Sequence, residues 1–156
     1  MKKMRGAVVL SIGLASVIAC PACRSSDSSD SELRHAFHDG VWLLTVDRAL
    51  RPGRPTVGVP TDPLSEADFA PVDGGARYRL VVSRDAARIE VVESQMVAQL
   101  EQATAERLIY RLVDGAFAGG RIMVWREAGG IQAELTIFGS GLPVVRSERG
   151  SVRTGR

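Results

Sequence analysis

Four side chains in this sequence are suited to metal ligation or redox chemistry: the cysteines Cys20 and Cys23 and the histidines His35 and His38. A Cys-x-x-Cys pair can bind zinc or cycle between thiol and disulfide, but a structural zinc site needs four ligands and the sequence has no second cysteine pair. The two histidines lie at helical i, i+3 spacing, so they could supply two ligands from one face, and Asp39 follows them. Because the sequence has no further histidine, we assign no metal site and no cofactor.

Catalytic patterns are also missing from the sequence. The nucleophile elbow of α/β-hydrolases reads Gly-x-Ser-x-Gly, whereas Gly139-Ser140-Gly141 has only the composition of a turn. The paired glycines fit turns between strands rather than a phosphate-binding loop. Neighbouring carboxylates such as Glu90 and Glu93 fall on expected exterior faces. We therefore predict that the protein is not an enzyme, and we assign no catalytic residue.

The first 19 residues have the pattern of a secretory signal peptide, with three basic residues before an apolar run over residues 6–19. This run is too short to span a bilayer, which requires about 20 apolar residues. Val17-Ile18-Ala19-Cys20 resembles the lipobox of bacterial lipoproteins, in which the cysteine is acylated and the chain is cut just before it. The resemblance implies that Cys20 is lipidated, that residues 1–19 are removed, and that residues 20–33 form a Ser/Asp-rich tether.

The same resemblance implies a location in the cell envelope, with the membrane as a partner through the lipid anchor. In lipoproteins an aspartate after the lipidated cysteine favours retention in the inner membrane, and this chain has Pro21 there instead. The outer membrane, facing the periplasm, is therefore the expected location, and exposure at the cell surface is the alternative.

The charge of the mature chain is nearly balanced. The sequence has 20 Lys and Arg against 18 Asp and Glu, and three of the bases lie in the leader, so 17 arginines remain against the 18 acidic residues. This balance predicts no nucleic-acid partner, because such proteins carry basic patches. With Cys20 acylated, we expect no intrachain disulfide, and Cys23 remains a free thiol.

Alternation of apolar and polar residues predicts strands over most of a single domain at residues 34–156. The first strand candidate is Gly40–Leu50, and a Pro-rich connection at 51–75, with short edge pairing near 56–59, separates it from the others. The remaining candidates are at 77–83, 88–93, 106–113, 121–127, 131–138 and about 143–152. Residues 94–105 alternate as in a strand but also fit a helical face, and we favour the strand.

Counting residues 94–105 as a strand gives about eight strands joined by tight turns. This number favours an all-β antiparallel meander that closes into an up-and-down barrel and so leaves no exposed edge. The alternative is an α+β open sheet packed on one helix at about 94–107. A barrel of eight strands holds either its own side chains or one small ligand.

Asp39-Gly40-Val41-Trp42 resembles the Gly-x-Trp opening of lipocalins, a family in which some bacterial members are outer-membrane lipoproteins. In that family the tryptophan closes one end of the barrel and packs under an arginine from near the last strand. The resemblance implies such a barrel-closing pair between Trp42 and Arg149, with Arg146 as the other candidate. The long connection after the first strand has a counterpart in the lipocalin fold.

Two functions fit these observations. The first is a non-enzymatic envelope lipoprotein that binds a lipid or a hydrophobic small molecule inside its barrel. The alternative is a structural or protein-binding envelope lipoprotein with a filled core and no ligand. The interior of the barrel separates them, because a ligand site needs a cavity of about 300 Å³ or more.

Overall fold

The computed structural model of the protein describes residues 27–52, 64–114, 117–137 and 146–155. Within these ranges the chain forms one α-helix and nine strands. Their bounds are α1 Asp27–Ala36, β1 Gly40–Leu50, β2 Phe69–Pro71, β3 Arg77–Val82, β4 Arg88–Val91, β5 Met96–Ala103, β6 Arg107–Leu112, β7 Arg121–Glu127, β8 Gly130–Ile137 and β9 Arg146–Thr154. Short 3₁₀ turns lie at Glu66–Asp68 and Val92–Ser94.

Eight of these strands close into an antiparallel barrel. On one side β1 pairs with β3, and on the other it pairs with β9 from Trp42 to Ala49, so the sheet returns to its own first strand. The extra strand, β2, pairs with the end of β1 from Arg48 to Leu50. The predicted all-β up-and-down barrel is confirmed, and β5 lies where the alternative fold placed a helix. Closure pairs the backbone groups that an edge strand would leave exposed.

The closing seam between β1 and β9 is tight at Gly150. A Cβ atom added there would lie 1.9 Å from the carbonyl oxygen of Thr45, so only glycine fits. The register between the two strands shifts between Val46 and Arg48, which places Arg48 opposite Arg149. Such a bulge bends the strand locally and increases its twist, and this helps a barrel to close.

Side-chain alternation fills the interior of the barrel. In β3, for example, Tyr78, Leu80 and Val82 are buried and the residues between them are exposed. Inward-facing residues from all eight barrel strands belong to one hydrophobic cluster, which also includes Leu33 and Phe37 from the helical segment. The core is therefore continuous from one end of the barrel to the other.

The helix α1 closes the end of the barrel at which β1 begins, which we call the helix end. The Phe37 side chain, directly after the helix, is fully buried, and its ring centroid lies 5.1 Å from that of Trp42 and 6.4 Å from that of Tyr110. The indole Nε1 of Trp42 donates a hydrogen bond of 3.0 Å to the carbonyl of His38. Aromatic packing and this hydrogen bond together fix the chain that enters the barrel.

The position of α1 corrects the predicted tether. The sequence predicts a solvated segment over residues 20–33, whereas the helix begins at Asp27 and Leu33 is 3% exposed within the core. Serine and aspartate have weak helix propensity, so packing of Leu33 and Phe37 against the barrel stabilises the helix. Residues 1–26, which include the predicted leader and Cys20, lie outside the described residues.

Most predicted strands are present with ends shifted by a few residues. The bounds of β1 and β7 agree with the prediction, whereas β9 continues to Thr154. Glu127 pairs with Gly130, so β7 and β8 are joined by the tight hairpin that Gly129-Gly130 predicts. The pairing predicted near residues 56–59 lies outside the described residues, and β2 instead supplies a short edge strand next to β1.

Candidate functional site

A charged cluster is buried on the outer wall of the barrel, where β7, β8 and β9 lie side by side. Glu134 on β8 is the register partner of Arg149 on β9, and Arg121 lies at the start of β7. Because side chains alternate across a strand, all three point away from the hydrophobic core. Their side chains are nevertheless only 0%, 9% and 3% exposed, in the order given.

Both arginines are hydrogen-bonded to the Glu134 carboxylate. Arg149 Nη2 donates to Oε2 at 2.8 Å and Arg121 Nη2 donates to Oε1 at 3.4 Å. The Thr136 hydroxyl donates to Oε1 at 3.2 Å and lies 3.0 Å from Ser147 Oγ. A buried carboxylate is costly unless its charge and its lone pairs are satisfied, and the side chains of Arg149, Arg121 and Thr136 satisfy them.

Residues 64–71, which we call the covering segment, lie over Arg149. The backbone N–H of Leu64 donates to Glu134 Oε2 at 3.3 Å, and the Leu64 carbonyl accepts from Arg149 Nη2 at 2.6 Å. The guanidinium carbon of Arg149 lies 4.3 Å from the centroid of the Phe69 ring. The end of the long Pro-rich connection is therefore attached to the outer wall by both backbone and side-chain contacts.

Glu66 of the covering segment bridges two arginines at the edge of a groove. Its Oε2 accepts a hydrogen bond of 2.7 Å from Arg149 Nη1, and its Oε1 forms an ion pair with Arg48. Guanidinium groups bind carboxylates through paired, directional hydrogen bonds, so this arrangement can hold an anionic group. The groove has a volume of ≈ 410 Å³ and is lined by Asp47, Arg48, Glu66, Glu127, Gln132 and Arg149.

A second polar cluster faces inward at the opposite end of the barrel, which we call the far end. Glu148 Oε2 accepts a hydrogen bond of 2.6 Å from the Tyr78 hydroxyl, and Oε1 accepts one of 2.7 Å from Arg146 Nε. Burial, together with the hydrogen bond to Glu148, raises the pKa of Tyr78 to about 12. The hydroxyl therefore stays protonated at neutral pH and is not an activated nucleophile. This cluster lies at the far end.

Replacing Tyr78 by phenylalanine is expected to reduce the loss of stability between about pH 10 and 12. The pKa of this tyrosine is 10.0 when unperturbed and about 12 when folded, so over this range the folded state keeps a proton that the unfolded state releases. The parent therefore has its full stability below about pH 10 and loses on the order of 2 kcal/mol as the pH rises toward 12. Urea unfolding at about pH 9 and pH 11.5 measures the difference, and an equal alkaline loss in the Tyr78→Phe chain would contradict this role.

The structure does not bring Trp42 and Arg149 together as a barrel-closing pair. Trp42 faces the interior at the helix end and is the register partner of Thr154, whereas Arg149 is the partner of Arg48. An odd number of positions separates Arg149 from Thr154 on β9, so alternation turns the two side chains to opposite faces of the wall. The residue that packs on Trp42 is Phe37. The other candidate, Arg146, lies at the far end.

Among the described residues, the candidate histidines are not part of a group that could hold a metal. His35 and His38 are exposed with ring centroids 6.5 Å apart, and they line a cavity of ≈ 360 Å³ together with Arg34, Arg84 and Asp85. Within residues 27–52, 64–114, 117–137 and 146–155, no group of three or more His, Cys, Asp or Glu side chains is placed to hold a metal ion. Cys20 and Cys23 lie outside these ranges.

Alternation along residues 131–137 places Glu134 and Thr136 opposite the apolar Ala133 and Leu135, so the sequence alone predicts that both face solvent and gives no sign of the outer-wall cluster. One signal pointed to a covered wall, since residues 122–125 of β7 are apolar on both faces. In the structure Met123, on the outward face of β7, is fully buried beside Glu134. Apolar residues on both faces of a strand are a signal that could have indicated a cover, but they do not identify the segment that forms it.

No protein-family model, no curated protein and no solved structure matches this chain. Among the residues that the structure describes, no helix combines the length and the apolar character needed to cross a bilayer. The function therefore has to be inferred from the contacts of the chain itself.

Proposed function

We propose that this protein is a lipid-anchored envelope lipoprotein whose barrel is a packed scaffold and whose outer wall contacts a protein partner. The observation that carries the proposal is the single core cluster, which joins residues of all eight barrel strands to Leu33 and Phe37. A ligand-carrying barrel keeps an apolar cavity of about 300 Å³ or more. Here large side chains occupy the interior, among them Phe37, Tyr110 and Met96, each less than 2% exposed.

The contacts at the two ends of the barrel support the packed scaffold over a lipid-binding barrel. At the helix end, entry of a hydrophobic molecule would require α1 to leave the barrel and expose Leu33 and Phe37 to water. Exposing large apolar side chains costs about 1.5–3 kcal/mol each. At the far end, entry would break the hydrogen bonds of Glu148 with Tyr78 and Arg146. A partner that binds the outer wall meets neither barrier.

The envelope location rests on the lipobox-like Val17-Ile18-Ala19-Cys20. The helix α1 begins at Asp27, seven positions after Cys20, and an extended chain of that length spans at most about 25 Å. A lipid on Cys20 would therefore hold the helix end of the barrel close to the membrane. The groove beside Arg149 lies on the side wall, where a second protein can approach it.

Replacing Cys20 by serine is expected to move the protein from the detergent phase to the aqueous phase in a phase-separation assay. Each buried acyl methylene contributes about 0.8 kcal/mol to membrane binding, so loss of the acyl chains removes the anchor. The matched control is Cys23→Ser, which should partition like the parent. If the Cys20→Ser variant and the parent partition alike, the protein is not anchored through Cys20.

Native mass spectrometry of the same purified lipoprotein tests whether the barrel is packed or loaded. A packed scaffold gives the mass of the acylated chain alone. A hydrophobic molecule of defined mass retained with the chain would contradict the packed scaffold and favour the ligand-binding alternative.

A further inference from the structure

Two side chains of the covering segment contact the same buried arginine from positions three residues apart. Glu66 Oε2 accepts a hydrogen bond of 2.7 Å from Arg149 Nη1, and the Phe69 ring centroid lies 4.3 Å from the Arg149 guanidinium carbon. On the neighbouring strand, Arg48 forms an ion pair with the other oxygen of Glu66. Two arginines thus hold one carboxylate, and an aromatic ring stacks on the buried arginine.

The carboxylate in this arrangement is exchangeable, whereas the buried arginine is not. The side chains of Glu66 and Arg48 are 62% and 43% exposed, and exposed ion pairs contribute only about 0–1 kcal/mol. Arg149 is 9% exposed and is fixed by Glu134 and by the carbonyl of Leu64. Within the described part of the chain its Nε is buried and has no hydrogen-bond partner.

We propose that the groove beside Arg149 is a peptide-binding site for an acidic residue followed three positions later by an aromatic residue. In the free protein the covering segment occupies this site with Glu66 and with Phe69, which is 3% exposed, so a partner binds when the covering segment and its β2 pairing with β1 detach. This inference deepens the proposed function, because it names the chemistry of the partner, and its role at the envelope rests on that function.

The other charges of the groove define which acidic peptides fit. Asp47 and Glu127 also line it, and they repel additional negative charge. A partner segment with one acidic residue is therefore preferred to a polyacidic tract, because each further carboxylate meets a like charge. The site selects a single carboxylate and an adjacent ring rather than negative charge in general.

Trp125 provides an optical signal for occupancy of this site. Its ring centroid lies 5.2 Å from the Arg149 guanidinium carbon, and its Nε1 donates a hydrogen bond of 2.8 Å to Glu127 at the groove. The second tryptophan of the chain, Trp42, is 8% exposed at the helix end and is shielded from the groove. A change in fluorescence on peptide addition therefore reports on the wall rather than on the core.

The test uses the capped peptide Ac-Leu-Ser-Glu-Ala-Asn-Phe-NH₂, which copies residues 64–69 with asparagine in place of the second acidic residue, titrated into the mature lipoprotein in a nonionic detergent. Binding is measured by tryptophan fluorescence and by calorimetry. The Glu66→Gln variant lacks the internal competing carboxylate, so the peptide should bind it about fivefold more tightly than the parent. The matched control is Glu93→Gln, which loses a different exposed ion pair, with Arg79, and should bind like the parent.

Two further titrations test whether the carboxylate is what the site recognises. A peptide with glutamine in place of its glutamate should bind the Glu66→Gln chain about fivefold more weakly. Adding Arg48→Gln, at an exposed position, to the Glu66→Gln chain should weaken binding of the original peptide. The proposal is overturned if the peptide does not bind the Glu66→Gln chain, if it binds that chain no better than the parent, or if the two peptides bind alike. None of these results depends on acylation. A negative result here would contradict the peptide-binding site, whereas a negative Cys20→Ser result would contradict the lipid anchor.

Discussion

Replacing Phe37 by alanine is expected to lower the free energy of unfolding by about 3–5 kcal/mol. The Phe37 side chain is fully buried, and its ring packs against Trp42 and Tyr110 at the helix end. Alanine would leave a cavity between a helix and a closed barrel, and the strands of a closed barrel have little freedom to move in and fill it. Equilibrium urea unfolding followed by tryptophan fluorescence measures the change.

The matched control is Phe117→Ala, which makes the same chemical change at a position that is 37% exposed. Its expected cost is smaller, about 1–2 kcal/mol, since more than a third of its surface is already in contact with water. Equal costs for the two variants would mean that α1 is not an integral part of the folded core, and the boundary of the domain would return to the end of the predicted tether.

Replacing Glu134 by alanine is expected to lower the free energy of unfolding by about 3–5 kcal/mol. The two arginines that share its carboxylate have side chains only 3% and 9% exposed, so they would remain charged in a site that water reaches poorly. The large effect comes from this unpaired charge rather than from a high intrinsic strength of the ion pair, because burying the pair also has a desolvation cost. Urea unfolding at neutral pH is the measurement.

Glu101→Ala is the matched control for this prediction. Glu101 pairs with Arg111 on the same kind of outward-facing position, but the two side chains are 45% and 60% exposed. The expected change is below about 1 kcal/mol, since water solvates each partner when the pair is broken. If Glu134→Ala were no more destabilising than Glu101→Ala, the outer-wall cluster would have to be hydrated in solution.

The barrel could be predicted from the sequence because strand alternation is a local property. In β5 the alternation of Met96, Ala98 and Leu100 favoured a strand although the composition also suited a helix, and the structure confirms the strand. The glycine pair before β8 predicted the hairpin with β7 for an equally local reason, since a tight turn requires particular backbone angles.

The helix α1 could not be predicted in the same way, because its stability is not local. Its sequence has few helix-favouring residues, and two apolar side chains, Leu33 and Phe37, gave no sustained period. They become a helix face only when the open end of a barrel is present to bury them. The predicted contact between Trp42 and Arg149 is absent for a related reason. The register of β9 against β1 decides which face of the barrel wall an arginine occupies.

Two outward-facing glutamates, Glu101 on β5 and Glu134 on β8, separate what the sequence alone determined from what only the tertiary structure decided. From the sequence alone, the strands and the inward and outward positions along them could be assigned, because each depends on neighbours within a few residues. The sequence assigns both glutamates to the outside of the barrel. Only Glu134 lies beneath the covering segment, whose Leu64 is 70 residues away along the chain. Burial of an outward side chain depends on which distant segment packs over it, and periodicity carries no information about that contact.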